Sequence, residues 1–255
     1  MVSKVYIITG GSSGMGKYMA KRLVLDGHSV LITGRNESRL QEAQEELSKD
    51  ASGKIEIFQM DVREPEMAVG MVEKAVEHFG RLDGLINNAA GNFICPVEKM
   101  SPNGWKSVID IVLNGTFYCS KAAGDYWIKN NIKGSMINMV ATYAWDAGAG
   151  VAHSAAAKAG VLSLTRTLAV EWGHKYGIRT NAIAPGPIER TGGAEKLWES
   201  EEAAKRTIQS VPLKRLGTPE EIAALAAFLF SDDAAYINGE CITMDGGQYL
   251  NSFPF

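Results

Sequence analysis

The chain has no apolar run approaching the ~20 residues that a bilayer-spanning helix needs. It has no basic surplus either: 26 Lys and Arg stand against 29 Asp and Glu, for a net charge of −3. That balance lacks the positive footprint of a nucleic-acid binder. Cysteine is scarce and scattered; Cys95, Cys119 and Cys241 make neither a disulfide framework nor a metal knuckle. The four histidines, His28, His78, His153 and His174, are equally dispersed. No internal repeat, low-complexity tract or interdomain linker interrupts the chain. The start runs almost directly into Val5-Tyr6-Ile7-Ile8, without signal-peptide architecture. The expectation is a cytoplasmic protein with no metal centre and with neither nucleic acid nor membrane as partner. Composition leaves enzyme and binding protein equally open.

What is present is an alternation. Val5–Thr9, Val30–Thr33, Ile55–Met60, Gly84–Asn87, Ser135–Val140 and Arg179–Ala184 are short, apolar and bounded by turn-forming or polar residues, and they predict buried strands. Helical periodicity fills the intervals. Met67, Met71, Ala75 and Phe79 form one stripe, Val161, Leu164, Leu168 and Trp172 a second, and Ile222, Leu225 and Leu229 a third. Alternating strands and helices predict a parallel sheet covered on both faces. The fold class is therefore α/β, with a single doubly wound parallel sheet flanked by helices over residues 1–255. Residues 189–212 break the rhythm. They are charged and helical in character, and a long insertion near the end of such a sheet is a candidate lid over a site.

The first strand ends in Thr9-Gly10-Gly11-Ser12-Ser13-Gly14-Met15-Gly16, and a helical segment follows from Lys17 to Leu25. Glycines let a backbone approach a pyrophosphate closely, and the helix N-terminus supplies oriented N–H groups. The expected contacts are Gly10, Ser12, Ser13, Gly14, Met15 and Gly16. At the end of the second strand an NAD site usually places an acid for the ribose 2′-hydroxyl. Here the position holds Arg35, whose guanidinium pairs with a 2′-phosphate and favours NADP(H). The alternative leaves Arg35 solvated and gives the ribose to Glu37.

The spacing Gly10, Gly14, Gly16 after a Thr resembles the short-chain dehydrogenase/reductase superfamily. Asp61-Val62, Asn87-Asn88-Ala89-Ala90-Gly91, Asn114, Lys158 and Pro185-Gly186-Pro187-Ile188 carry the resemblance onward in the family's order. It implies a Rossmann-like fold. It also implies that Asp61 and Val62 lie by the adenine, that Asn88 and Ala89 support the cofactor pocket, and that Pro185, Gly186 and Ile188 line the nicotinamide side.

The family's catalytic pattern, Tyr-x-x-x-Lys with an earlier Ser, is broken. Ser154 stands four residues before Lys158, and Ala141 occupies the earlier Ser position. Tyr143 lies just after the fifth strand, where ligands bind in open α/β sheets. Ser154 and Lys158 are i and i+4 on one helix face. This relocated set, with Asn92-Phe93-Ile94 and His153-Ser154-Ala155-Ala156-Ala157-Lys158, resembles the 2,4-dienoyl-CoA reductases of the same superfamily. The resemblance implies NADPH-dependent conjugate reduction of a CoA thioester. Asn92 and Tyr143 would donate to the thioester oxygen. Lys158 would hold the nicotinamide ribose, Ser154 would orient nicotinamide or substrate, and Asn114 would support Lys158, directly or through a water.

Two other readings stay open at this point: an alcohol/ketone oxidoreductase using Tyr143 as acid, and a catalytically silent NADP(H)-binding regulator. Each residue also has a bland reading, Asn114 as a helix kink and Ser154 as a helix-start residue among them. Lys196, Lys205 and Arg206 are lid cations that could face CoA phosphates or simply water. The resemblance implies a homotetramer. Ala122-Ala123-Gly124 and Ala155-Ala156-Ala157 suit close helix packing, within or between subunits, and the apolar Ser252–Phe255 suits a subunit contact.

Overall fold

The computed structural model describes residues 3–49, 51–191 and 201–251. Seven strands form one parallel sheet: β1 (Val5–Thr9), β2 (Ser29–Gly34), β3 (Ile55–Gln59), β4 (Gly84–Asn87), β5 (Ser135–Met139), β6 (Arg179–Pro185) and β7 (Cys241–Met244). Their order is β3-β2-β1-β4-β5-β6-β7. The chain winds outward one way from β1 and then returns to build the other half, so the strand order reverses between β1 and β4. The carboxyl ends of the strands at such a reversal are the place where these sheets take ligands.

The sheet is buried on both faces because its strands are apolar at successive positions. Tyr6 and Ile8 of β1 pack into one core, with Met19 and Leu23 of α1 (Gly14–Leu25), Leu40 of α2 (Glu37–Ser48) and Ile222 and Leu229 of a late helix. Ile7, between them, points to the other core, with Met71 and Ala75 of α3 (Pro65–Phe79) and Trp127 of a later helix. Val30 and Ile32 against Leu31 repeat the alternation on β2.

The six expected strands are present within a residue at either end. The seventh, β7, was not foreseen. It has four residues, and its Cys-Ile-Thr-Met sequence pairs with β6 at the sheet's edge. The helical stripes hold with one shift. Met67 is exposed, and Ala68 and Val72 complete the buried face of α3 with Met71 and Ala75.

Helices α4 (Pro102–Ile109) and α5 (Gly115–Lys129) are joined through a π-helical turn, Asp110–Asn114, instead of a loop. Helix α6 (Ala152–Tyr176) runs 25 residues and stops at Gly177, whose φ of +69° ends it in the left-handed region. Within the expected lid, residues 192–200 lie outside the described residues, and helix α7 (Glu201–Ser210) is present. Its Ser210 accepts hydrogen bonds from Gln248 and Asn251. Lys196 falls outside the described residues, whereas Lys205 and Arg206 are exposed on α7. Helix α8 (Pro219–Phe230) begins with a complete capping box, Thr218 and Glu221. The Ala122–Gly124 patch packs inside the subunit: a β-carbon on Gly124 would lie 2.4 Å from the Trp172 ring. Ser252–Phe255 lie outside the described residues. No helix among the described residues is long and apolar enough to cross a membrane.

Candidate active site

The turn after β1 is held open by side chains from β4. The Thr9 hydroxyl accepts the N–H groups of Asn88 and Ala89, each at 3.0 Å. The Asn88 carboxamide donates to the carbonyls of Thr9 (2.9 Å) and Gly10 (3.1 Å). Asn88 and Ala89 thus shape the cradle. The Asn88 amide is committed to the turn's own backbone.

Two glycines in this turn do different work. A β-carbon on Gly16 would sit 2.4 Å from the Gly10 carbonyl oxygen, so its bareness lets α1 press against the strand. Gly14 has φ +51° and faces open space, with only Thr191 within 4 Å. Ser13 precedes α1 in an extended conformation and makes no side-chain cap. The first-turn N–H groups of α1 are therefore directed at the gap above Gly14 and Met15. A tight turn, an open concave side and an uncapped helix start fit a dinucleotide pyrophosphate.

Beyond this turn, Ser12 approaches the end of β2, its hydroxyl 3.5 Å from where a Gly34 side chain would begin. Arg35 follows, exposed. Its carbonyl accepts from Gln59 at 3.0 Å, and its guanidinium makes no hydrogen bond or ion pair among the described residues. A free guanidinium at the strand's end fits a 2′-phosphate. Asp61 is gripped by Arg63 through a fork of 3.0 and 2.5 Å contacts, which holds its carboxyl below the usual range. Val62 is buried against Gly115, where a β-carbon would come within 2.7 Å. At the end of β6, Gly186 bonds to Met244 and leaves no room for a side chain beside Asp245. Pro185 flanks it, half-buried. Ile188 is a core residue, bridged to Gly217, so only its backbone faces outward.

The reactive side chains gather around the end of β5. Tyr143 sits on the short turn Thr142–Ala144, half-buried, with its hydroxyl 3.2 Å from the Ser154 hydroxyl. Ala141 directly precedes that turn in extended backbone. Ser154 is in the first turn of α6, and Lys158 lies one turn further along. Lys158 is buried, its Nζ donates to the Met139 carbonyl, and desolvation lowers its pKa to about 8. Asn92 is on the loop after β4. Its Oδ1 accepts the Phe93 N–H at 2.9 Å, which leaves Nδ2 as the donor end of the amide.

Asn114 lies in the π turn, Asp110–Asn114. Its side chain donates to Asp110 Oδ1 at 2.9 Å, and Asp110 also holds Lys106. It faces a polar crevice with Arg63, Glu64 and Tyr118, and no hydrogen bond among the described residues joins it to Lys158. Its position in the π turn matches the kink reading.

Beneath the cluster a buried polar line crosses the sheet. Asn87 donates to Ser120 (2.9 Å) and to Asn138 (2.8 Å), and Asn138 donates to Thr165 (2.9 Å). Sequence reasoning missed this line, and it also missed His153. The histidine is fully buried between Ser154 and Phe93. Its adjacency to Ser154 was the available signal. A phenol, a hydroxyl and a buried amine around the end of β5, with an amide on the loop after the neighbouring β4, are donors suited to an oxygen that gains negative charge.

The family model described as Enoyl-(Acyl carrier protein) reductase matches residues 10–248. The chain is 69% identical over 255 residues, the full length of both, to the probable 2,4-dienoyl-CoA reductase [(2E)-enoyl-CoA-producing] of Bacillus subtilis strain 168. It is 39% identical over 249 residues to the peroxisomal 2,4-dienoyl-CoA reductase [(3E)-enoyl-CoA-producing] of Danio rerio, covering 98% of this chain and 82% of the relative. Among solved structures, a short chain dehydrogenase from Bacillus anthracis str. 'Ames Ancestor' superimposes with a TM-score of 0.91 at 65% identity, covering 98% of each chain.

Proposed function

The chain belongs to the short-chain dehydrogenase/reductase family and is an oxidoreductase, and from that premise we propose that it reduces 2,4-dienoyl-CoA thioesters at the expense of NADPH. The observation that carries this reading is the relocated phenol. Ser154 stands where the family's Tyr is expected, and Tyr143 reaches the same helix face from the β5 turn, 3.2 Å from Ser154. The names of the Bacillus subtilis and Danio rerio relatives support the substrate class.

The cradle of Gly10, Ser12, Ser13, Gly14, Met15 and Gly16 would hold the pyrophosphate, Asp61 and Val62 would flank the adenine, and Arg35 would take the 2′-phosphate. When bound, NADPH supplies the hydride, which ends on the distal carbon of the diene. The displaced electron pair travels along the conjugated chain to the thioester oxygen. The Tyr143 hydroxyl and the Asn92 amide donate hydrogen bonds to that oxygen as its charge grows. Losing one such donor costs about 3–4 kcal/mol of transition-state stabilisation. Lys158 holds the nicotinamide ribose and its positive charge favours the anionic dienolate. Ser154 fixes the phenol by hydrogen bonding. A proton then goes to carbon: on the α carbon it leaves a 3-enoyl thioester, on the γ carbon a 2-enoyl thioester.

The position of Tyr143 suits this substrate. A carbonyl reductase places its acid on the oxygen of the carbon that takes hydride. A dienoyl reductase must hold an oxygen several bonds from that carbon, and the phenol has shifted from the helix to the β5 turn. We further propose a cytoplasmic homotetramer assembled through α5 and α6. Phe117 on α5 and Val170 on α6, both exposed and apolar, support this assembly. Light scattering of the purified protein reads its mass directly.

The test is NADPH oxidation at 340 nm with a 2,4-dienoyl-CoA, with NADH and a simple ketone in parallel, for wild type and Tyr143→Phe. NADPH-dependent turnover that collapses in the variant supports the reading, and the product's double-bond position identifies the protonated carbon. Binding of NADPH without turnover of the thioester overturns it.

A further inference from the structure

His153 is an imidazole in a place where an apolar ring would have been simpler. It has no exposed surface, and its Nε2 has no hydrogen-bond partner among the described residues. Leaving a buried polar atom unpaired is costly, so the ring's other nitrogen should offset that cost. Nδ1 accepts the Ser154 backbone N–H at 2.8 Å. That N–H belongs to the first turn of α6, where helical donors have no partner within the helix. The preceding residue, Val151, has no side-chain acceptor, and the helix start is buried, out of reach of water. His153 supplies the missing acceptor from inside the helix.

The ring has a second neighbour. It meets Phe93 edge to face, with centroids 4.5 Å apart and planes at 86°. Phe93 is the residue whose N–H orients the Asn92 carboxamide. The same loop is stitched to the approach to α6 by Cys95 N–H donating to the Gly150 carbonyl at 2.8 Å. The two oxygen-binding groups come from different segments, Asn92 after β4 and Tyr143 after β5. His153 touches the support of both: Ser154, which bonds Tyr143, and Phe93, which bonds Asn92.

We infer that His153 is a positioning residue that sets the Tyr143 and Asn92 donors against one another. The inference deepens the proposed dienoyl-CoA reduction and rests on it for its kinetic readout. Its geometric half stands on contacts within the chain.

Two substitutions separate the two contacts. His153→Phe keeps a ring against Phe93 and removes the acceptor. His153→Asn keeps an acceptor and removes the ring. Each should lower kcat for the dienoyl-CoA by about tenfold or more while KM for NADPH stays within about twofold. His153→Phe should be non-additive with Ser154→Ala, and His153→Asn with Asn92→Ala, because both members of each pair disturb the placement of the same donor, Tyr143 in the first and Asn92 in the second. Hydrogen exchange needs no substrate. The Ser154 amide should exchange faster in His153→Phe, and the Cys95 amide faster in His153→Asn, with residues 10–16 unchanged. Unchanged exchange at both amides overturns the inference, and so do strictly additive double variants. Should wild type reduce no dienoyl-CoA, the substrate assignment fails, and the exchange pattern alone decides on His153.

Discussion

The glycine turn and the reactive cluster share the carboxyl edge of one sheet, yet they are made differently. The turn is built from backbone. One strand, one turn and one helix provide it, and the neighbouring Asn88 and Thr9 side chains serve only to hold its shape. The cluster is built from side chains on three separate segments, the loop after β4, the turn after β5 and the first turns of α6. A backbone device cannot be altered without altering the fold locally. A side-chain device can have one functional group removed while the scaffold stays. The difference explains how the family's phenol can be absent from its usual helix position while the nucleotide cradle retains its spacing.

Substitutions should expose that contrast. The largest effect is expected at Gly16. Gly16→Val forces a side chain into the 2.4 Å gap beside Gly10 and into Asn88. Overpacking there should cost about 1–3 kcal/mol or more, with NADPH binding lost by calorimetry and a lower melting temperature. If Gly16→Val binds NADPH normally, the backbone account of the cradle is wrong. Tyr143→Phe should lower kcat by about 10²–10³ and leave the melting temperature and NADPH affinity near wild type. A variant that melts early instead would make Tyr143 structural and erase the contrast.

Arg35→Ala removes a side chain from the cofactor half and should therefore behave like a change in the cluster. The preference for NADPH over NADH, measured as the ratio of kcat/KM values, should fall by about 10–100-fold without loss of stability. An unchanged ratio would hand the ribose to another group.

Lys158 tests the cluster from the side of folding stability. Burial lowers its pKa from 10.5 to about 8, so between those values the unfolded chain binds more protons than the folded one. Its cost to folding is present at neutral pH and fades as pH rises through that window. Lys158→Met should be inactive yet more stable than wild type at pH 7, by about 3 kcal/mol. Denaturant titrations at pH 7 and pH 10 should show the gap narrowing. A less stable variant at pH 7 would mean that the bond to the Met139 carbonyl outweighs desolvation.

The same contrast governs what could be read from the sequence. The strands and the glycine turn were legible because apolar runs and glycine spacing are local. Tyr143, Ser154 and Lys158 were singled out from a family resemblance, from spacing along the chain and from the position of a strand end, and the fold sets Tyr143 beside Ser154. Contacts between distant segments were not legible. Asn114 was expected to support Lys158, and its bond to Asp110 across the π turn could not be read from spacing. Asn88 could be placed near the nucleotide, whereas its attachment to Thr9 and Gly10 depends on β1 and β4 being neighbours. Ile188 was expected to line the site; that its side chain packs in the core while its backbone bridges Gly217 was not legible. His153 carries no periodic signal. Its role comes from a partner sixty positions away. Strand β7 was missed because four residues at an edge carry little pattern.

The polar line of Asn87, Ser120, Asn138 and Thr165 has a consequence for how the molecule assembles. Its members come from four elements that lie far apart in sequence, and each bond requires the correct strand register. A sheet paired one residue out would turn both asparagines toward the wrong face. Each stranded amide would then cost about 1–3 kcal/mol. Mispaired forms are thus penalised at the centre of the sheet, directly below the place where the reacting groups must meet. The line works as an error check on folding: a chain that satisfies it has also brought the ends of β4 and β5 level, and with them Asn92 and Tyr143.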